Sequence, residues 1–180
     1  IIAGRRSYAD ILARPFVEEL RNGAALNFYD LTMKTNYKFS DKDQVFLSGY
    51  FGKDNFKFDA NQGFSWGNRT ATVRWNHLFN DRLFSNFTAF FSDYEYQLAF
   101  GDNPRDRFEW NSDINTFAFK PSLTYFINQR NELTFGGEIY RYWFEPAQAK
   151  GISDGETIDI SVPDKQSVEA ALYVNNEQEI

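Results

Sequence analysis

Cysteine is absent from the 180 residues, and histidine and methionine occur once each. Without thiols there is no disulfide framework and no thiolate metal site, and the one imidazole is His77. Beside a short turn, His77 reads as a polar aromatic at an interface rather than a base or a ligand. No enzyme is expected: no catalytic residue, no metal ligand and no cofactor. Apolar runs never approach the roughly 18 residues of a spanning helix, which excludes a helical membrane protein. Basic stripes are missing as well. With a formal net charge of −6, nucleic acid is not an expected partner.

What the chain has instead is aromatics and alternation. Phe, Tyr and Trp make up 19% of the residues, yet mean hydropathy is −0.56. Many aromatics on a polar average result when every second residue is apolar. Residues 68–96 show the pattern most plainly. Ala71, Val73 and Trp75 alternate with Thr70, Thr72, Arg74 and Asn76, a period of two. The run turns at Asn80 and Asp81, residues that tolerate positive φ, and returns through Phe87, Ala89 and Phe91 against Asn86, Thr88 and Ser92. A long β-hairpin is predicted, with one apolar and one polar face.

The same logic covers most of the chain. Residues 26–39 form the cleanest strand, with Tyr29, Leu31, Met33, Tyr37 and Phe39 on one face and Asp30, Thr32, Lys34, Asn36 and Lys38 on the other. Residues 45–51 return, and here both faces carry apolar side chains, so neither can be assigned. Phe117, Phe119, Leu123 and Tyr125 oppose Thr116, Lys120, Ser122 and Thr124, with a bulge predicted at Pro121 because it lacks a ladder donor. Leu133, Phe135 and Ile139 follow, and 167–175 begins an eighth strand. Residues 8–22 read as a loop with a helical turn or two, Pro15 opening the helix and Gly23 ending it.

Connections near Ser40, Asn80 and Asn128 are short. Those over 53–67, 97–113 and 145–165 read as long loops, as does 8–22. Strict alternation of short and long connections fits an outer-membrane barrel, with short periplasmic turns and long extracellular loops. The fold class is all-β: an antiparallel up-and-down transmembrane β-barrel segment of about eight strands. Tyr37, Phe39, Trp75, Phe79 and Tyr125 lie beside the short turns, where membrane-interface aromatics belong. Lys34, Lys38, Arg74, Lys120 and Glu138 fall on the polar faces, which a barrel turns toward its lumen and plug. Trp66, Arg105, Arg107 and Trp110 are candidate ligand-binding residues on the long-loop side, since rings and guanidinium groups stack and hydrogen-bond at low entropic cost. Asp102, Asp106, Glu109 and Asp113 match no calcium loop and read as solvated.

Four stretches carry a resemblance: IIAGRRSYAD at 1–10, FLSGYFGKD at 46–54, RWNHLFNDRLFSN at 74–86 and ALYV at 171–174. They resemble TonB-dependent outer-membrane receptors, in the subgroup with a carboxypeptidase-regulatory-like domain before the plug. The likeness spans 1–180 as part of a single barrel domain. It implies a barrel of about 22 strands around an N-terminal plug, in the outer membrane of a Gram-negative bacterium, with uptake of a scarce ligand driven by the TonB complex. Implied partners are outer-membrane lipid, the plug of the same polypeptide, the TonB complex through the N-terminal part, and a surface lipoprotein. The chain opens at Ile1 without an initiator Met or signal sequence and stops straight after a strand-like run, so an internal barrel fragment is expected. Two alternatives stay open: a complete small outer-membrane barrel with a structural or adhesive role, and a soluble β-sandwich that binds a ligand.

Overall fold

Residues 1–59, 61–103, 106–153 and 156–179 are described by a computed structural model of the chain. The strands are β1 (Ile2–Arg6), β2 (Ala25–Lys38), β3 (Asp43–Lys57), β4 (Gly63–Asn80), β5 (Leu83–Asn103), β6 (Asp106–Asn128), β7 (Asn131–Ser153), β8 (Glu156–Val162) and β9 (Lys165–Gln178). They form one antiparallel sheet in which each strand pairs with the next along the chain, and β9 joins β7. The described residues make no second sheet and do not close this one into a ring. A sandwich would need that second sheet, and a complete small barrel would need the closure.

Strands β8 and β9 are one strand interrupted. Ala147 pairs with Val162 and Phe144 with Lys165, so the offset is unchanged across the gap. That offset sets Pro146 opposite Pro163. Neither can donate to the ladder, and pairing lapses there. Pro121 behaves similarly on one side only: Phe119 pairs with Ile139 and Ser122 with Gly136, while the two positions between are unpaired and the register does not shift. The predicted bulge is therefore absent. A missing donor has opened the ladder without inserting a residue.

Between β1 and β2 lie two short helices, α1 (Ala9–Ala13) and α2 (Glu18–Arg21), with Pro15 in the turn that separates them. Gly23, at φ 108°, ends α2 and lets the Ala24 N–H reach back to the Glu19 carbonyl at 2.9 Å. The three other long loops predicted are mostly strand. β3 runs to Lys57, β4 begins at Gly63, β5 runs to Asn103 and β7 to Ser153. β6 and β7 have 23 residues each, about 75 Å at roughly 3.3 Å per residue, more than twice the ~9–11 residues that cross a bilayer. The asymmetry between the two ends is one of strand length beyond the apolar zone.

Register fixes every face, because directly opposed residues share one. Tyr37, Val45, Trp75, Phe87 and Pro121 form one rank across five strands. Val45, Leu47 and Phe51 thereby join the apolar face, while Phe46, Ser48 and Tyr50 lie on the polar one. Exposure then runs opposite to a soluble protein. Along β4 the apolar Ala71, Val73 and Trp75 are exposed, Val73 at 46%, whereas on the other face Thr70, Thr72 and Asn76 are half-buried and the charged Arg74 is exposed. Leu31 (49%), Phe117 (43%) and Leu172 (91%) continue the same band. A contiguous exposed apolar surface of this extent marks a face that another apolar body covers.

From Ala71 to Phe79 the band measures about 27 Å along the strand, close to the ~25 Å of a barrel's lipid-facing zone. Val73→Arg is expected to cost about 2–4 kcal/mol of folding stability in lipid, and Thr72→Arg on the other face much less. Urea titration of both variants from lipid vesicles measures the difference. Equal costs on the two faces would contradict the assignment.

Candidate functional site: two faces above and below one boundary

Below the boundary the face opposite the band is polar and crowded. Arg74 lies on the rank of Phe46 and Thr88, its guanidinium 4.4 Å from the Phe46 ring centroid. Lys120, opposite Thr88, reaches Glu138 at 3.7 Å and sits 4.8 Å from the Tyr140 ring. Lys34 is opposite Ser48, and Lys38 opposite Gln44. The five predicted charged residues thus share one face, and Lys120 and Glu138 touch. Asn76 adds a buried side-chain oxygen with no hydrogen-bond partner among the described residues. Such a face suits water or a docked polar body.

The predicted interface aromatics all lie on the band face near the short turns. Tyr37 and Phe39 meet edge-on with centroids 4.8 Å apart, and Trp75 stacks on Phe87 at 5.6 Å. His77 lies among them, edge-on to Phe79 at 4.6 Å. Its Nδ1 is 2.6 Å from the Asp43 carboxylate, to which Trp75 Nε1 also donates at 3.1 Å. Tyr125, between Leu83 and Leu133, extends the row.

Above the rank of Arg69, Asp93 and Asn115 the two faces exchange character. The band face becomes polar. Lys53 pairs with Glu95 at 2.9 Å, and Arg69 reaches Glu95 at 3.3 Å and Asp93 at 3.6 Å. The opposite face becomes apolar, with Leu26, Phe56, Phe64, Leu98, Trp110 and Ala149 in successive opposition across six strands. Phe56 stacks on Phe64 at 5.0 Å and Phe64 on Trp66 at 5.5 Å. We call this row of rings the aromatic shelf.

Trp66 and Trp110 stand on the shelf, as a shared ligand surface requires. Arg107 does not. It pairs with Gly101 and forms an ion pair with Glu109 on the band face, because a residue three positions before Trp110 has opposite parity in a strand. Arg105 lies outside the described residues. The predicted cluster of four is therefore split between two faces.

One motif escapes a reading of composition alone: Gly63-Phe64-Ser65-Trp66-Gly67 has the GxSxG spacing. A nucleophile elbow needs a sharp strand-to-helix turn. Here the five residues are regular β4 ladder, with Ser65 opposite Asn55 and Gln97. His77 is twelve residues further along the same strand, about 40 Å away. The glycines have a packing reason instead, since a Cβ at Gly63 would come 2.5 Å from the Phe56 carbonyl oxygen and one at Gly67 2.9 Å from Glu95.

The geometry defines an open segment of an up-and-down β-barrel wall. Its fold is similar to part of the ferric yersiniabactin uptake receptor FyuA from Yersinia pestis, with a TM-score of 0.56 and 15% identity over 84% of this chain. The chain spans 27% of that receptor. An open segment of an antiparallel up-and-down barrel wall, similar in fold to part of that receptor, is thus the fold observed. No protein-family model matches the chain, and no curated protein does.

Above the boundary, outside the apolar band, Asp113 faces Asp93 and Glu95 on β5 and Glu145 on β7, with Lys53 and Arg69 as the neighbouring cations. Burial and the Asp93 carboxylate push Asp113 up to about 6. An acid whose folded value is raised costs stability above that value, and the cost fades as pH falls toward the unfolded value near 4. Asp113→Asn is therefore expected to raise the unfolding midpoint at pH 8 and to leave it unchanged at pH 4. Urea midpoints at the two pH values check the sign.

Proposed function

We propose that the chain is part of the barrel of a TonB-dependent receptor in the outer membrane of a Gram-negative bacterium, of the subgroup with a carboxypeptidase-regulatory-like domain. The observation that carries this reading is the exposed apolar band on one face of a sheet whose other face is polar and crowded. The likeness to an uptake receptor's fold supports it. Energy for uptake comes from the TonB complex, which acts through the N-terminal part of the polypeptide. A surface lipoprotein is a further partner of the full receptor.

In this reading Lys34, Lys38, Arg74, Lys120 and Glu138 face the lumen and dock the plug of the same polypeptide. Charge on that face is tolerable only where it meets water or protein. Trp66 and Trp110, on the aromatic shelf above the membrane, contact the incoming ligand by ring stacking. No chemistry is asked of the barrel. Its work is to hold a lumen open and a ligand in place.

Two measurements test the proposal. A cysteine at Gln62 is expected to react with a membrane-impermeant maleimide in intact cells, and one at Asp81 only after the outer membrane is permeabilised. Labelling of both, or of neither, in intact cells would refute the topology. Reversing Arg74 and Lys120 to Glu is expected to loosen the plug and lower uptake with barrel abundance unchanged. Unaltered plug retention would remove their docking role.

A further inference from the structure

On the shelf face, one rank below the row of rings, Phe28, Asp54, Trp66, Tyr96 and Ser112 stand in successive opposition across five strands. Asp54 is the one charge in that rank. Its two directly opposed neighbours are rings, Phe28 on β2 and Trp66 on β4, with Cβ atoms about 5 Å from its own. Phe56 follows on the same face, one rank above Asp54. It stacks on Phe64, which stacks in turn on Trp66. Below Asp54, a Cβ at Gly52 would collide with the Tyr50 hydroxyl, so the Tyr50 ring reaches up β3 toward the carboxylate. Asp54 is thereby set in a box of rings.

No hydrogen bond and no ion pair joins the Asp54 carboxylate to another described residue. The cations nearby are committed elsewhere. Lys53, Lys57 and Arg69 fall on the opposite face by strand parity, where Lys53 and Arg69 pair with Glu95. Arg5 shares the face of Asp54 and its charge reaches that carboxylate, but its hydrogen bond goes to Asp30, one rank below. The Arg5 guanidinium also lies 5.4 Å from the Phe28 ring centroid, so one wall of the box already holds a cation against its π face. Among the described residues no cation covers the facing wall, Trp66, which is 36% exposed. Two ranks below Asp54, the side chains of Thr32, Tyr50, Thr70, Ser92 and Thr116 carry hydroxyls and no charge. Nothing from that side neutralises it either.

We propose that this box receives the ammonium group of an organic cation whose apolar body lies along the aromatic shelf. The inference rests on the reading of Trp66 as a ligand contact and narrows the ligand to one class. An unpaired carboxylate between ring faces attracts a cation twice, through its own charge and through the ring quadrupoles, and it accepts charge-assisted hydrogen bonds from the ammonium. The rank above, from Leu26 through Phe56 and Phe64 to Trp110, offers apolar surface alone, so the group attached to the ammonium is hydrocarbon or aromatic. A calcium ion does not suit the box, because it takes six to eight oxygens and Asp54 supplies a single carboxylate. An anion would meet Asp54 with no uncommitted cation beside it to offset the repulsion.

Fluorine NMR on the full receptor, extracted from the outer membrane in mild detergent, tests the box with three probes of similar shape. They are para-fluorophenethylammonium, para-fluorophenethyl alcohol and para-fluorohydrocinnamate, with protein-free micelles as the baseline. The ammonium is expected to bind about tenfold tighter than the alcohol, and the carboxylate probe most weakly. Asp54→Asn should bring the ammonium down to the level of the alcohol and leave the alcohol unchanged, whereas Trp66→Ala should weaken both. Heat-modifiable electrophoretic mobility confirms that each variant is folded, and the order of the three probes on the unaltered receptor needs no variant. Absence of ammonium binding, equal affinity for ammonium and alcohol, or a preference for the ammonium that survives Asp54→Asn overturns the cation site. Trp66 still stands as a ligand contact in those cases if Trp66→Ala weakens the alcohol. Alcohol affinity untouched by Trp66→Ala overturns both readings.

Discussion

A strand that crosses hydrocarbon must satisfy two demands at once. Every backbone N–H and C=O needs a partner within the sheet, and the side chains turned outward must be apolar. The first demand accounts for the consecutive up-and-down pairing from β1 to β8, and for the register that survives two interruptions by proline. The second accounts for the inversion of exposure along β4, where Val73 is open and Thr72 half-buried. In water the same arrangement would expose an apolar band and bury hydroxyls. Its economy depends on what surrounds it.

The boundary at Arg69, Asp93 and Asn115 follows from the same constraint. In the proposed reading the strands leave hydrocarbon here, so the band face meets water and turns to ion pairs and amides, while the rings move to the other face. That exchange explains why alternation revealed the strands but concealed their length. Trp66, Tyr96 and Leu98 keep the period of two but in the opposite phase to Trp75, Phe87 and Ala89. A pattern followed in a single phase ends at the boundary, so 53–67, 97–113 and 145–165 read as loops. The ambiguity at 45–51 has a different origin. Phe46 and Tyr50 lie on the polar face, where the Arg74 guanidinium covers the Phe46 ring and the Tyr50 ring lies over Gly52 of its own strand, and only pairing to β4 reveals it.

The candidate site was legible to the extent that it depends on parity within one strand. Lys34, Lys38, Arg74, Lys120 and Glu138 come together on one face because each alternates with apolar neighbours in its own strand. Arg107 was grouped with Trp66 and Trp110 by proximity in a presumed loop, where parity carries no information. Once 106–128 is a strand, an odd separation places Arg107 and Trp110 on opposite faces. The row of Leu26, Phe56, Phe64, Leu98, Trp110 and Ala149 was illegible for a further reason: each strand contributes one member, and only the register of the sheet lines them up.

Depth measured along β4 tests the central claim most directly. The chain has no native cysteine, so single nitroxide labels can be placed at each position from 70 to 77 in the membrane-embedded protein. Collision with oxygen reports contact with lipid, and collision with a water-soluble nickel chelate reports contact with water. Oxygen is expected to dominate at 71, 73, 75 and 77, and the chelate at 70, 72, 74 and 76. Chelate access at both parities, or the reverse phase, would contradict an apolar band turned toward lipid.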